Sequence, residues 1–197
     1  MILTDREIKI AVQRGLIKIE PEPDYDTALS STAIDLTLDA NIIVFEDCVA
    51  GVERVLDPSL STTSEIIRAI TTSQAIPSNG FLLSPRKLML AWTKEFVGLD
   101  IGTRIAARVE GKSSLARLGL GVHVTAPTIH AGFTGQIQLE MVNHGGVPIR
   151  LKSGMRICQL IFETTLGTPE RGYQGQFSGQ TAASKSKGPL KKKRKAA

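Results

Sequence analysis

Residues 135–143 alternate between polar and apolar side chains, and this pattern limits the fold more than any other feature of the sequence. The segment reads GQIQLEMVN, with Ile137, Leu139 and Met141 in one set and Gln136, Gln138 and Glu140 in the other. Successive side chains of a β-strand point to opposite faces. The segment therefore predicts a β-strand with one apolar face and one polar face.

Four further segments have the composition of strands. They read AIDLTLDANIIVF (33–45), FLLSPRKLMLAWT (81–93), RIAARVEG (104–111) and PIRLKSGMRICQLIFE (148–163), the last as two strands joined through Ser153 and Gly154. Many short strands separated by turns, without regularly alternating helices, favour a barrel or sandwich over an α/β sheet. We therefore expect a mainly β domain, a distorted β-barrel or jelly roll.

Helical signals are few and short. Thr4 and Glu7 form the pattern of a capping box before a helix that should end at Gly15. Two further short helices are predicted at 63–70 and 113–118, the second with Ser113 as its cap.

The composition changes at about residue 167, from where Gly, Gln, Ser, Thr and Lys dominate. We predict that the β domain spans residues 1–166. Residues 167–183, here named the closing segment, hold two aromatic residues among glycines and are expected to order over a ligand. Residues 184–197 are too polar to bury a core and are predicted to be a disordered basic tail.

The net charge of +5 comes from the C-terminal tail. Residues 185–195 hold seven of the 24 Lys and Arg residues and no acid, which leaves 17 basic against 19 acidic residues elsewhere. The folded body therefore lacks the excess of positive charge that is typical of nucleic-acid-binding surfaces. The tail resembles a nuclear-localisation signal and could equally contact nucleic acid by charge alone.

The sequence favours a soluble cytoplasmic protein with no membrane association. The N-terminus, MILTDREIK, lacks the basic start and apolar core of a signal peptide, and the chain has no apolar run long enough to span a bilayer. Its two cysteines, Cys48 and Cys158, form no C-x-x-C pair and fit a reducing compartment.

Three enzyme motifs are excluded by spacing. A P-loop needs a glycine five residues before Gly111, where the chain has Ala106. A hydrolase nucleophile elbow fails because Leu115 stands where its last glycine belongs. The three histidines, His123, His130 and His144, and the two cysteines do not match the zinc deaminase pattern of H-x-E followed by P-C-x-x-C. Single histidines at strand positions are more often structural, so none is assigned a ligand.

Two sets of residues remain as candidates for chemistry. Glu140 is a carboxylate on the polar face of a strand, where pairing with a cation or exposure to solvent is the commoner role. Partial burial would instead raise its pKa and make it a general base. Lys112, Ser113, Ser114 and Arg117 offer hydroxyls and positive charge at the start of a helical turn, which suits a polyphosphate. An ordinary helix cap with a solvated arginine is the alternative.

Three blocks of the sequence, in their order and spacing, closely resemble the dCTP deaminases of the dCTP deaminase/dUTPase superfamily. They read VEGKSSLARLGLGVHVTA (109–126), TIHAGFTGQIQLEMVN (128–143) and SGMRICQLIFE (153–163). The resemblance continues through STAIDLTL and YQGQFSGQ, so that it covers about residues 1–180 and leaves out the tail.

The resemblance implies a homotrimer of distorted β-barrel subunits of the dUTPase-like type, with active sites where subunits meet. It also implies hydrolysis of dCTP to dUTP and ammonia, feeding dUMP and dTTP synthesis, without zinc or another metal held by the protein. Mg²⁺ is expected on the triphosphate of the substrate. Feedback inhibition by dTTP is expected on the same ground.

Site residues follow from the resemblance as well. Glu140 would be the general acid/base, Ser113 and the backbone carbonyl of Ala126 would hold the attacking water, and Arg117 would assist. The substrate site would comprise Lys112, Ser113, Ser114, Leu115, Ala116, Arg117, Gln138, Leu139, Glu140, Gln159, Tyr173 and Gln180.

The chain departs from the family pattern at three positions. Many relatives have Arg at the position of Lys112. Members of the dUTPase branch have a water-activating Asp at the position of His130 and a Tyr at the position of Phe133. The missing Asp disfavours an enzyme that also hydrolyses dUTP to dUMP and pyrophosphate, while Phe133 can still stack close to the sugar. A bifunctional deaminase and diphosphatase, a plain dUTPase and a non-catalytic nucleotide-binding regulator remain the alternatives.

Overall fold

The computed structural model describes residues 1–46, 55–173 and 179–182. Its helices are α1 (Asp5–Gln13), α2 (Tyr25–Ala28), α3 (Thr63–Ile70) and α4 (Ser113–Ala116), with a 3-10 turn at Ile101–Thr103. Its strands are β1 (Ile17–Glu20), β2 (Leu29–Ser30), β3 (Ala33–Phe45), β4 (Thr71–Ala75), β5 (Phe81–Leu83), β6 (Leu88–Leu99), β7 (Ile105–Gly111), β8 (Leu120–Gly121), β9 (Thr128–Ile129), β10 (Thr134–Asn143), β11 (Ile149–Leu151) and β12 (Arg156–Thr164).

Ten of the described strands form one antiparallel sheet, which curls into a half-barrel. Its order is β8, β10, β6, β3, β12, β7 and β9, with β1 beside β6 and with β2 and β4 beside β3. The remaining two, β5 and β11, pair with each other. The prediction of a mainly β domain with a short N-terminal helix and a few other short helices is confirmed.

The predicted strands appear in the structure, but their partners do not follow from their order in the sequence. The segment 33–45 is β3, and 148–163 contains β11 and all of β12 except its last residue, Thr164. These last two strands do not pair with each other, because β11 pairs with β5 while β12 lies between β3 and β7.

Two capping predictions are wrong in detail. Thr4 does precede α1, but its hydroxyl donates to the Glu7 carboxylate and makes no side-chain bond to the helix backbone. A reciprocal capping box occurs instead at α3, between Thr62 and Glu65. The cap of α4 is Lys112 rather than Ser113, because Ser113 is already the first helical residue and the extended backbone that a cap needs is at Lys112.

The alternation along β10 decides which side chains reach the core. Ile137, Leu139 and Met141 are at most 3% exposed and pack in the apolar interior. Gln138 and Glu140 lie on the opposite face and are only partly buried. The predicted two faces of this strand are therefore confirmed, and the polar face is left free to form a site.

The buried carboxylate of Glu95 binds β3 at the residue where this strand changes its pairing partner. β3 pairs with β12 as far as Thr37 and with β6 from Leu38 onward. Glu95, which is 4% exposed, accepts hydrogen bonds from the Thr37 amide (2.8 Å) and hydroxyl (2.6 Å). The Glu95 oxygens thus accept from the Thr37 amide in place of a carbonyl of a neighbouring strand.

Candidate active site

A cavity of about 270 Å³ opens against the polar face of β10. It is lined by Ile137, Gln138, Leu139 and Glu140 of that strand, by Val109 of β7, and by residues from three other parts of the chain. The loop after β8 contributes His123 and Ala126, the turn around β9 contributes Thr128, Ile129, His130 and Phe133, and the closing segment contributes Tyr173 and Gln180.

Glu140 is the carboxylate of this cavity. Burial raises its pKa from the ordinary glutamate value of 4.5, while backbone amides of Glu140 and Val124 and the nearby His123 act in the opposite direction. Desolvation penalises the charged form, and here it outweighs those opposing contacts. Glu140 therefore holds a proton more readily than an exposed glutamate does, as a group that both takes and returns a proton requires.

His123 lies beside Glu140 in the cavity with an incomplete set of hydrogen bonds. Its Nε2 is 3.9 Å from Oε2 of Glu110, and its buried Nδ1 has no hydrogen-bond partner among the described residues. His130 lines the same cavity. The interpretation of single histidines as structural thus missed two cavity residues, because nothing in their local sequence reveals what the loops bring together.

The cavity has an aromatic wall. The rings of His130 and Tyr173 are stacked, with centroids 5.4 Å apart and planes inclined by 16°. The ring centroids of Phe133 and Tyr173 are 6.1 Å apart, with planes inclined by 47°. An aromatic wall of this kind suits a planar ring such as a nucleobase.

The closing segment reaches the cavity through close backbone contacts. The Tyr173 amide donates to the Ala131 carbonyl (3.2 Å), beside Gly132. Gly132 has a φ of +87°, and a Cβ on it would come within 2.9 Å of the Gly172 Cα. Only glycine fits this turn, since the backbone is left-handed and the neighbouring chain is too close for a side chain.

The remaining predicted site residues form a second group, here named the Lys112 group. It comprises Lys112, Ser113, Ser114, Leu115, Ala116, Arg117 and Gln159, none of which lines the cavity of its own chain. Within it, Ser113, Ser114 and Arg117 are exposed on and just after α4. The structure therefore brings Ala126, Gln138, Leu139, Glu140, Tyr173 and Gln180 together and places the Lys112 group elsewhere on the subunit.

Asp35 organises the Lys112 group and was missed by the sequence interpretation. This carboxylate on β3 is 6% exposed, pairs with the Lys112 ammonium and accepts from Gln159 Nε2 (3.2 Å). Arg156 lies on the same carboxylate, with 3.8 Å between Nε and Oδ2. The acid in the otherwise apolar start of AIDLTL was the available signal, because a buried acid needs partners.

The described residues contain neither a metal-binding cluster nor a membrane-spanning helix. No group of three or more His, Cys, Asp and Glu side chains in residues 1–46, 55–173 and 179–182 is arranged to hold a metal ion. Within the same ranges, no helix has the length and apolar character needed to cross a membrane.

Comparison with known proteins places the chain in a family. The family model described as dCTP deaminase-like matches residues 2–165. The chain is 35% identical over 187 residues to the dUMP-forming dCTP deaminase of Sulfurihydrogenibium sp., covering 95% of this chain and 97% of the relative. It is 41% identical over 174 residues to the dCTP deaminase of Shewanella amazonensis, covering 88% of each.

A solved structure has the same fold. The crystal structure of 2′-deoxycytidine 5′-triphosphate deaminase from Agrobacterium tumefaciens matches 83% of this chain with a TM-score of 0.63 and 22% identity. This chain covers 48% of that longer protein, so the likeness concerns the fold of the shared part. With the family model and both relatives spanning most of its length, the chain belongs to the dCTP deaminase-like family.

Proposed function

We propose that this protein hydrolyses dCTP to dUTP and ammonia. The observation that carries the proposal is Glu140, a partly buried carboxylate of raised pKa in a cavity with an aromatic wall. The names of the relatives support the substrate, since both are dCTP deaminases. A nucleotide-binding regulator would not need a carboxylate of this kind beside the base.

The proposed mechanism moves both protons of one water through Glu140. Ionised Glu140 takes the first proton while the water oxygen attacks C4 of cytosine, and gives it to N3 of the ring. The carboxylate then takes the second proton from the new C4 hydroxyl and gives it to the amino group. The C4–N bond breaks, and a C4 carbonyl and ammonia result. The Ala126 carbonyl and the Ser113 hydroxyl would hold the water, and Arg117 would stabilise the charged intermediate.

This mechanism uses no metal ion held by the protein. The support is the spacing of the histidines and cysteines, which lacks the ligand pattern of zinc deaminases. Mg²⁺ would arrive on the triphosphate of the substrate, where it neutralises phosphate charge. Lys112 and the hydroxyls of Ser113 and Ser114 would contact those phosphates.

The active site is proposed to form between subunits of a homotrimer. Ser113 and Arg117 are needed beside Glu140 in the mechanism, but they do not line the cavity of their own chain. A second copy that places its α4 over the cavity would complete the site. The exposure of Ser113, Ser114 and Arg117 supports this arrangement, because it leaves them available to a neighbouring subunit.

A bifunctional dCTP deaminase and dUTP diphosphatase is the second candidate function. The Sulfurihydrogenibium relative is named dUMP-forming, so hydrolysis of dUTP to dUMP and pyrophosphate must be considered. In this chain His130 stacks on Tyr173 at the position where the resemblance expects an Asp, and we therefore propose dUTP as the released product.

A product assay tests the proposed function. The full chain is incubated with dCTP, excess Mg²⁺ and a zinc-selective chelator, and the nucleotides are separated by anion exchange. We expect dUTP and ammonia in equal amounts. Release of dUMP with pyrophosphate would favour the bifunctional enzyme, and binding of dCTP without turnover would favour the regulator.

A further inference from the structure

The first half of β10 has one edge without a partner strand in the described part of the chain. β6 covers the other edge, and β8 pairs only with Val142 and Asn143. Residues 179–182 of the closing segment lie along this edge. The Gly179 amide donates to the Thr134 carbonyl (2.7 Å), and the Gln136 amide donates to the Gln180 carbonyl (2.9 Å).

Gln136 contacts the closing segment with its side chain as well as its backbone. Its Oε1 accepts from the Ala182 amide (2.6 Å), and its carbonyl accepts from the Gln180 side chain (3.1 Å). The same Gln136 amide group uses Nε2 to donate to the Thr93 carbonyl (2.9 Å) on β6. Gln136 thus contacts β6 through Thr93 and the closing segment through both Gln180 and Ala182.

The position of Gln136 at an irregularity in the sheet explains why a side-chain amide is needed there. The pairing of β10 with β6 shifts register between Gln136 and Gln138, which frees the Thr93 carbonyl from the ladder. Glutamine offers both an acceptor and donors at the end of one side chain. It can therefore satisfy the freed carbonyl and the Ala182 amide at once, whereas a carboxylate would satisfy only the second.

We propose that Gln136 is a positioning residue that holds the closing segment on its own subunit and so keeps Gln180 in the cavity. Gln136 does not line the cavity itself, while Gln180 does. Gly135 makes room for the contact, since its φ is +149° and a Cβ on it would come within 2.8 Å of the Gln180 carbonyl. The role in substrate binding rests on the proposed deaminase function, but the contact with the closing segment does not.

Two variants separate the contacts of Gln136. Gln136→Leu removes all three side-chain hydrogen bonds, to the Thr93 and Lys94 carbonyls and to the Ala182 amide. Gln136→Glu keeps the acceptor for the Ala182 amide but loses the donor to the two carbonyls. Each is made in a chain lacking residues 184–197, and again in a chain lacking residues 179–197. The second background removes the described partners of Gln136 in the closing segment, and the first controls for loss of the basic tail.

Steady-state kinetics with dCTP provides the first readout. In the longer background, Gln136→Leu is expected to raise KM by about tenfold, the equivalent of one or two lost hydrogen bonds, with a smaller change in kcat. Gln136→Glu should raise KM less. In the background that ends at 178, Gln136→Leu should have no further effect on KM, because the interaction has already been removed. An equal rise in KM in both backgrounds would assign Gln136 to the sheet alone and overturn the proposal.

Hydrogen exchange without substrate provides the second readout, which does not depend on activity. Gln136→Leu is expected to accelerate amide exchange at Gly179 and Ala182, while exchange in β12 stays unchanged. Unchanged exchange at Gly179 and Ala182 would overturn the proposal. If the parent chain does not turn over dCTP but the variant shows this local acceleration, the proposed function fails and the positioning role of Gln136 stands.

Discussion

Glu140, the proposed general acid/base, lowers the stability of the folded protein when it is ionised. Leu139 and Met141, its neighbours on β10, point to the opposite face and are buried, and the Glu140 carboxylate itself is partly buried. The raised pKa means that the ionised form is less stable in the folded protein than in the unfolded chain. Such a cost is expected at a site that chemistry requires.

The variant Glu140→Gln should separate this cost from catalysis. We expect turnover of dCTP to fall by about 10³-fold, because the proton carrier is lost, with dCTP binding retained. Since the folded-state pKa of Glu140 is raised, its destabilising effect is present above that pKa and vanishes as pH falls below 4.5. The variant should therefore raise the Tm by about 2 °C near neutral pH and not at all in acid. Thermal unfolding at both pH values and equilibrium binding check these outcomes; a lower Tm at neutral pH would mean that Glu140 stabilises the fold.

The pH dependence of the parent enzyme gives an independent check on the same residue. Free Glu140 must be ionised to accept a proton, so kcat/KM should fall on the acidic side with an apparent pKa above 4.5. Glu140→Asp should shift this limb, since the shorter side chain changes the burial of the carboxylate. An acidic limb that is identical in both proteins would assign it to another group.

At the scale of strands, the irregular pairing of β6 and β10 depends on one buried hydroxyl. Thr93 is fully buried, and its hydroxyl donates to the Glu95 carbonyl (2.8 Å) and accepts from the Ile137 amide (3.0 Å). The hydroxyl thereby replaces a ladder bond that the register shift removes. Ile137, whose amide donates to the Thr93 hydroxyl, lines the cavity.

Replacing Thr93 by valine tests this interpretation. The shape of the side chain is retained, but the Ile137 amide is left buried without a partner, which costs about 1–3 kcal/mol. We expect a decrease in Tm of about 2–10 °C for a chain of this size. Thr93→Ser, which keeps the hydroxyl, should show a smaller decrease in Tm. Equal losses in the two variants would show that packing of the methyl group, and not the hydrogen bond, supports the strand.

At the scale of the whole molecule, the proposed mechanism needs the cavity and the Lys112 group in one site, but a single chain holds them apart. Within one chain, the Lys112 group is held by Asp35 on the β3 and β12 side of the sheet, while Glu140 belongs to β10. The proposed trimer resolves this separation, because each cavity would receive α4 from a neighbour.

Mixed trimers test the shared site. Ser113→Ala and Glu140→Gln each should be inactive alone, and co-expression with different affinity tags allows trimers that contain both to be purified. If sites form between subunits, one interface of every mixed trimer contains both native residues, so activity should return to a substantial fraction of the parent. If each site lies within one subunit, no chain in the mixture is intact and the mixed trimers should remain inactive.

The sequence predicted the elements of the fold well, but it did not predict which side chains share the cavity. The limits of β3 and α3 agree with the predicted 33–45 and 63–70, and the faces of β10 were correct because alternation is a property of neighbouring residues. Thr4 is the cap of α1, but the predicted capping box is absent, because its side chain makes no hydrogen bond to the helix backbone. The predicted cap at Ser113 was wrong, because a cap depends on the backbone angles of one residue. The contacts of Asp35, His123 and Gln136 were not predicted, since each involves partners in other strands or loops.

The sequence by itself therefore determined that this chain forms many short strands and that Glu140 lies opposite an apolar face. Only the tertiary structure decided which groups meet. Asp35 reaches Lys112 across 77 residues of chain, and Gln180 reaches Gln136 across 44. Such contacts depend on register shifts and on the path of the chain around the half-barrel, which no local pattern encodes. Local side-chain periodicity fixed the strands, and the long-range packing of those strands fixed the site.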